Sequence, residues 1–416
     1  MLVENCRSNR IADDLSSVTE ALRAYSLATG LEPLMLGGWE VEDEAISPPT
    51  LLLERLEAIE ARPRSYTYGK DCYRAKEAAA HVFGHAVRLG SAPLSAENVT
   101  VLQNSSQGLL LALTALRECG VRRVVVAAPV YFAAVHICRH LGLEVSLVRA
   151  ADFLTGALDV PRLVRALRGE PAALLLTNPT YSLGTEYGGE QLRQLFAALP
   201  EETWLLLDET RLGQPWRHDL PWYSAEFPAR TLILRSPSKI FLLNGLKTSF
   251  LFGPAALLSE VERLSEALVG SGAGNTEAVA LAYLDAWDAW MREEQAARIG
   301  PMRAWKRALV QRLRVHYAAA EALLGPAGFR LSPVDSGPYA LAAIERERWP
   351  DVDSAAIARE HGVLLMTSEY FYHQSPRWFG FRLHLCGDQT QMEEAIQRVF
   401  AAAQAGHALV ALAHSY

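Results

Sequence analysis

Short apolar runs rich in Val, Leu and Ile recur through the middle of the chain at NVTVLQ, RRVVVAA, LEVSLV, AALLLT, TWLLLD, TLILRS and TSFLFG, which predicts seven strands. Most are separated by stretches such as QGLLLALTALRECG and GGEQLRQLFAAL, where apolar residues fall three and four apart and the pattern stops near Gly or Pro. Near-continuous apolar strands alternating with amphipathic helices imply an α/β fold, with a mostly parallel sheet covered on both faces. In such a sheet the ligand lies beyond the carboxyl ends of the strands, so residues just after each run are the place to look for chemistry.

From about Pro254 the rhythm changes to long helical stretches, ALLSEVERLSEAL, NTEAVALAYLDAWDAWMREEQAARIG and MRAWKRALVQRLRVHYAAAEALLG. Strand-like pieces follow at GPYALAAIE, GVLLMT and GFRLHLC, with a helix near SAAIARE and a last one from Gln389. The expected organisation is a large domain over residues 51–290 and a small α+β domain over 291–416. Residues 1–50 are expected to complete the small domain or reach a partner chain.

Composition narrows the function classes. The net charge of −7 comes from interspersed acidic and basic residues without a basic stripe, which argues against a nucleic-acid partner. The five cysteines show no CxxC pair and no Cys/His cluster at zinc spacing, so they read as reduced thiols and no metal site is expected. The N-terminus lacks the apolar core of a signal peptide and no stretch has the apolar length of a bilayer span, so a cytoplasmic protein with no membrane partner is expected.

Only five lysines stand among the 40 Lys plus Arg, and two of them, Lys239 and Lys247, lie in one segment, SPSKIFLLNGLKTSFLFG. A lysine that forms an imine must be partly deprotonated near neutral pH, and a neighbouring cation in a desolvated pocket supplies that shift. The SxSK sequence with a basic residue eight positions after the lysine resembles the cofactor-lysine motif of class I and II aminotransferases. The resemblance implies pyridoxal 5′-phosphate (PLP) as cofactor, held as a Schiff base by Lys239. It also implies the aspartate aminotransferase-like fold, with Ser236 and Lys247 on the phosphate and Ser238 beside the cofactor. Lys247 stands where the family usually has Arg, which keeps the charge without the bidentate fork.

Other segments carry the same resemblance. TWLLLDETR ends an apolar strand in Asp208, 31 residues before Lys239. A carboxylate there needs a cationic partner, and the family's DxxY aspartate pairs with the protonated pyridine nitrogen. The tyrosine of that motif is Arg211 here, a departure that would alter the protonation and electron demand of the ring. TNPTYSLGTEY is similar to the family's NPxNPTG turn, with Gly184 in register. Either Asn178, which matches the first NP, or Tyr181, which replaces the usual donor to the phenolate oxygen, fills that role. VTVLQNSSQGLLLAL reads as strand, turn and helix, so Ser105, Ser106 and Gln107 stand where a helix N-terminus receives phosphate. Tyr131, two residues after Pro129, is placed where the family stacks an aromatic on the cofactor ring.

For the substrate, Arg382 interrupts the apolar strand WFGFRLHLCGD and matches the family arginine that binds an α-carboxylate bidentately. Gly38 and Trp39, in the GGW turn, fall at the family's N-terminal substrate-contacting turn. RSYTYGKDCYRAKEAAA resembles the family's Y…GxxxLR segment, whose tyrosine reaches the phosphate of the neighbouring subunit. That implies Tyr66 in this role and a homodimer with shared active sites. The function implied is transamination of an L-amino acid. The changes at Arg211, Tyr181 and Lys247 favour a specialised enzyme of secondary metabolism, and leave open elimination, replacement, cyclisation or amino-acid oxidation on the same cofactor.

Overall fold

The computed structural model describes residues 10–38, 41, 44–59, 66–84, 87–90, 92–210, 225–272, 274–291, 296–349 and 353–413. All seven expected strands are present: β1 (Val99–Leu102), β2 (Arg123–Ala128), β3 (Glu144–Arg149), β4 (Ala172–Thr177), β5 (Trp204–Glu209), β6 (Thr231–Arg235) and β7 (Ser249–Phe252). They form one sheet in the order β1-β7-β6-β5-β4-β2-β3, in which only β7 runs antiparallel to its neighbours. The carboxyl ends of β1, β5 and β6 and the amino end of β7 therefore meet at one edge, with Ser249 opposite Leu102 and Phe250 opposite Arg235.

Apart from β3, which lies at the sheet edge with no buried residue, the strands alternate between two apolar layers. Leu174, Leu176, Leu205, Leu207 and Ile233 enter one core with Phe83, Phe250, Phe252, Tyr283 and Trp287. Ala173, Leu175, Leu206, Leu232 and Leu234 face the opposite core, under the helix Ser105–Glu118. Burial on both faces is why these strands read as unbroken apolar runs. The helix can lie close to the sheet because Gly108 has no side chain, and a Cβ there would stand 2.6 Å from Leu234 Cδ1.

A second, antiparallel sheet joins β8 (Arg330–Leu331), β9 (Tyr339–Glu345) and β10 (Trp378–His384). One face packs on the helices Ala296–Leu324 and Gln389–Ala413 through Leu309, Leu313, Phe381, Leu383 and Ile396. The other packs on the helices Arg10–Thr29 and Ser354–His361 through Val18, Leu22, Leu341 and Ala358. The N-terminal segment threads along this sheet: Leu34 N–H donates to Gly362 O (2.8 Å) and His384 N–H to Leu36 O (3.0 Å).

Two sequence expectations shift. GVLLMT is extended but pairs only through isolated bridges, Val363 with Leu34 and Thr367 with Phe381, because its partner is a short turn-bound segment. The helix Ala296–Leu324 runs through Gly300 and Pro301, where the residue pattern places a boundary. Proline removes a single helical hydrogen bond, and the apolar stripe through Met302, Leu309 and Leu313 outweighs that loss. No helix among the described residues is long and apolar enough to cross a membrane.

His373 lies buried on Phe153, with ring centroids 4.7 Å apart and planes 6° from parallel. Burial pushes its imidazole from an ordinary 6.5 to about 4, against the opposing pull of Asp152. A folded value below the unfolded one means the neutral ring contributes stability above about pH 6.5 and loses it as the pH falls toward 4. At roughly 1.4 kcal/mol per pH unit the loss is on the order of 3 kcal/mol. Denaturant titrations between about pH 4 and 7 should show this slope flattened in His373→Phe, and an unchanged slope would assign the acid sensitivity elsewhere.

Candidate active site

The meeting edge of the large sheet opens into a cavity of about 780 Å³. Lys239 reaches it from the short helix Pro237–Ile240, which starts directly after β6 and turns back at Phe241. Ser236 and Ser238 line the same wall, both buried, with hydroxyls 3.0 Å apart. The Ser236 hydroxyl donates to Thr248 O at 2.8 Å, tying the lysine loop to the strand that follows Lys247. Lys247 lines the cavity from an exposed position, next to Gly245.

Across from them stands the N-terminus of the helix Ser105–Glu118, with Asn104 as its cap. The Asn104 side chain accepts from Gln107 N–H at 2.9 Å. Ser105, Ser106 and Asn104 line the cavity; Gln107 does not. Its carboxamide oxygen accepts from Gln103 N–H (2.8 Å) and its Nε2 lies 3.4 Å from Ser265 Oγ, so the capping geometry turns it away.

Tyr131 and Tyr181 form a third wall, ring centroids 5.9 Å apart. Asn178, the alternative to Tyr181, is fully buried and its carboxamide oxygen accepts from Tyr187 N–H at 2.9 Å, which holds the turn together. That turn also needs Gly184, whose φ is +76° and whose Cβ would stand 2.4 Å from Tyr339 O. Asp208 ends β5 beside Thr177 and Leu234, is buried, and accepts from Thr210 N–H at 3.1 Å.

Arg382 is buried on the β10 face that receives the N-terminal turn. Its guanidinium donates to the carbonyls of Gly37 and Gly38, contacts Ser182 Oγ at 3.4 Å and Met366 Sδ at 2.9 Å, and lies 4.5 Å from the Tyr339 ring centroid. It joins the residue next to Tyr181 but does not itself line the cavity. Tyr66 is 82% exposed and also stands outside the cavity. Its neighbour Thr67 pairs with Gly272, and Gly69 presses so close to β1 that a Cβ would lie 2.3 Å from Val101 O. Trp39 and Arg211 lie outside the described residues.

Five lining residues receive no site role from the sequence: Val41, Asn104, Leu242, Asn244 and Gly245. Asn104 had a legible signal, since Asn before a helix start is a preferred cap. Leu242 had none. It adopts φ +64°, a conformation costing a non-glycine residue on the order of 1 kcal/mol, and its side chain joins the core of the small sheet. Behind the site, Arg235 and Glu209 form an ion pair at 2.7 Å, both side chains at most 2% exposed.

Comparison with known proteins agrees with this architecture. A family model described as aminotransferase class I and II matches residues 53–399. A histidinol-phosphate aminotransferase from Bacillus velezensis is 29% identical over 133 residues, covering 31% of this chain and 36% of that protein. Histidinol-phosphate aminotransferase 1 from Mesorhizobium japonicum is 26% identical over 189 residues, covering 44% of this chain and 51% of its own length. The chain thus spans between about a third and a half of these two curated relatives. Among solved structures, N-succinyldiaminopimelate aminotransferase from Mycobacterium tuberculosis superposes with a TM-score of 0.72 at 20% identity, covering 96% of this chain and 99% of that one. Aspartate aminotransferase from Thermus thermophilus with maleate gives 0.72 at 19% identity, covering 93% and 95%. These likenesses show the aspartate aminotransferase-like fold, and with the family match over most of its length the chain belongs to the class I and II aminotransferases.

Proposed function

We propose that the chain binds PLP in this cavity through Lys239 and transaminates an L-amino acid. The observation that carries the reading is the set of groups at one sheet edge: the Lys239 amine, the Ser236 and Ser238 hydroxyls, a second cation, Lys247, and a helix N-terminus at Ser105 and Ser106 line one cavity, and the buried Asp208 carboxylate stands behind that lining near the end of the strand next to β6. Such a set fits a phosphate at one end and a cationic ring nitrogen at the other. Bound there, PLP supplies the electron sink for cleavage of a Cα–H bond.

The chain's own residues do the rest. Lys239 accepts the proton from the substrate Cα and returns it, as an amine on a loop held in place by the Ser236 hydrogen bond to Thr248 O. Asp208 holds the proton on the ring nitrogen. Tyr131 covers one ring face, and Tyr181, which stands at the cavity wall where Asn178 does not, offers its hydroxyl to the phenolate oxygen. Arg382 orients the substrate carboxylate once it gives up the Gly37 and Gly38 carbonyls. The same reading assigns Gln107 to shaping the phosphate turn, Tyr66 to the phosphate of a second copy in a homodimer, and the enzyme to a cytoplasmic, specialised pathway. The histidinol-phosphate relatives support an amino-acid or amino-alcohol substrate without selecting one.

Borohydride reduction of the PLP-loaded protein followed by peptide mapping should place the cofactor mass on Lys239. An adduct on Lys247, or none, overturns the assignment. With its amino-acid substrate alone under anaerobic conditions, the enzyme should release one keto acid per site and stop. Continued product release would instead favour elimination, replacement or oxidation, to which Tyr181 in the usual asparagine position lends weight.

A further inference from the structure

Asp208 and Glu209 are consecutive carboxylates at the end of β5, so they project from opposite faces of the sheet. Asp208 shares its face with Leu206 and Leu234, on the side of the helix that begins at Ser105. Glu209 points into the opposite core, where both Nε and Nη2 of Arg235 reach its Oε2 at 2.7 Å. Arg235 is the last residue of β6 and is paired in register with Glu209; the next residue, Ser236, starts the lysine loop. The guanidinium is enclosed by Phe83 and Phe252, 4.8 and 5.9 Å from their ring centroids.

A buried ion pair is a weak source of stability, because desolvation of two charges offsets most of their attraction and an apolar pair of equal volume does as well or better. Its place in the sheet suggests another role. The pair clamps the ends of β5 and β6 at the point where the backbone leaves the sheet to present Asp208 on one strand and Ser236 to Lys239 on the next. It also neutralises Glu209, so that Asp208 does not share its position with a second uncompensated carboxylate.

Resting on the reading that Asp208 and Lys239 hold PLP, we infer that Arg235 and Glu209 are positioning residues that set the spacing and charge of that cofactor-binding pair. They touch neither cofactor nor substrate.

The test uses the PLP-loaded enzyme and two variants. Arg235→Met/Glu209→Met removes both charges and keeps the volume; Arg235→Lys keeps a cation but loses the planar fork. Both are expected to melt within a few degrees of the parent. The double variant should bind PLP about tenfold or more weakly, the loss typical of removing partners one step behind a bound group, and Arg235→Lys by less. The pH midpoint of the bound cofactor's absorbance should rise in both, since a ring nitrogen held less firmly in its protonated form withdraws less charge from the imine. Parent-like PLP affinity and an unmoved midpoint in both variants would make the pair purely structural and overturn the inference. A parent protein that takes up no PLP on Lys239 fails the reading of the site itself, before any variant is made, and the inference falls with it.

Discussion

Lys239→Ala should fold and still bind PLP weakly, yet release keto acid at least about 10³-fold more slowly than the parent. The factor follows from the role: a positioned acid–base group contributes about 10²–10⁴-fold, and here the same side chain also carries the covalent link. The loop does not depend on this side chain, since Ser236 binds Thr248 O and the backbone of Leu243 binds Ser238 O at 2.8 Å. Lys247→Ala is the control. It lines the cavity from an exposed position, so its loss should weaken PLP binding while sparing the rate at saturating cofactor. Single-turnover measurements with excess PLP separate the two, and a Lys239→Ala rate within tenfold of the parent would remove Lys239 from the chemistry.

Asp208→Ala should lower both PLP affinity and turnover, together by about 10²–10⁴-fold. Removing one member of a buried charge pair costs about 3–5 kcal/mol, and each 1.36 kcal/mol is roughly a factor of ten. Asp208→Asn keeps the shape and can still accept from Thr210 N–H, so it separates charge from scaffold. If the carboxylate only caps the strand end, Asp208→Asn behaves like the parent. If it holds a ring proton, Asn is nearly as damaging as Ala, and circular dichroism shows both folded.

How much of this was legible in the sequence depended on whether the signal was local. Six of the seven strands were legible because burial on both faces forces an unbroken apolar run, as in AALLLT, where all six residues are buried, whereas β3 at the sheet edge has no buried residue and showed only an interrupted run. GVLLMT carries the same run but not the same pairing, since a lone strand signal does not say whether its partner is a strand or the short segment at Leu34. Within the site, Ser236 and Lys239 sit three residues apart on one turn, and the residue types themselves report the chemistry. The contacts of Arg382 with Gly37 and Gly38 join positions more than 340 residues apart, and no spacing rule encodes them. Gln107 shows the opposite failure: its position at the helix start was legible, but the hydrogen bonds to Gln103 and Ser265 that turn it aside depend on the fold.

Leu242 places its backbone in the loop that carries Lys239 and its side chain in the core beneath the small sheet, alongside Leu309, Val310 and Leu313. Those partners are made about seventy residues after it. During synthesis, a chain extended only to residue 290 would already hold Lys239, Asp208 and Lys247, yet its lysine loop would lack the apolar seat that holds Leu242 at positive φ. The Leu242 side chain therefore reaches its seat only after the helix Ala296–Leu324 has been made, so a chain that stops short of that helix carries the reactive lysine on a loop without those apolar contacts.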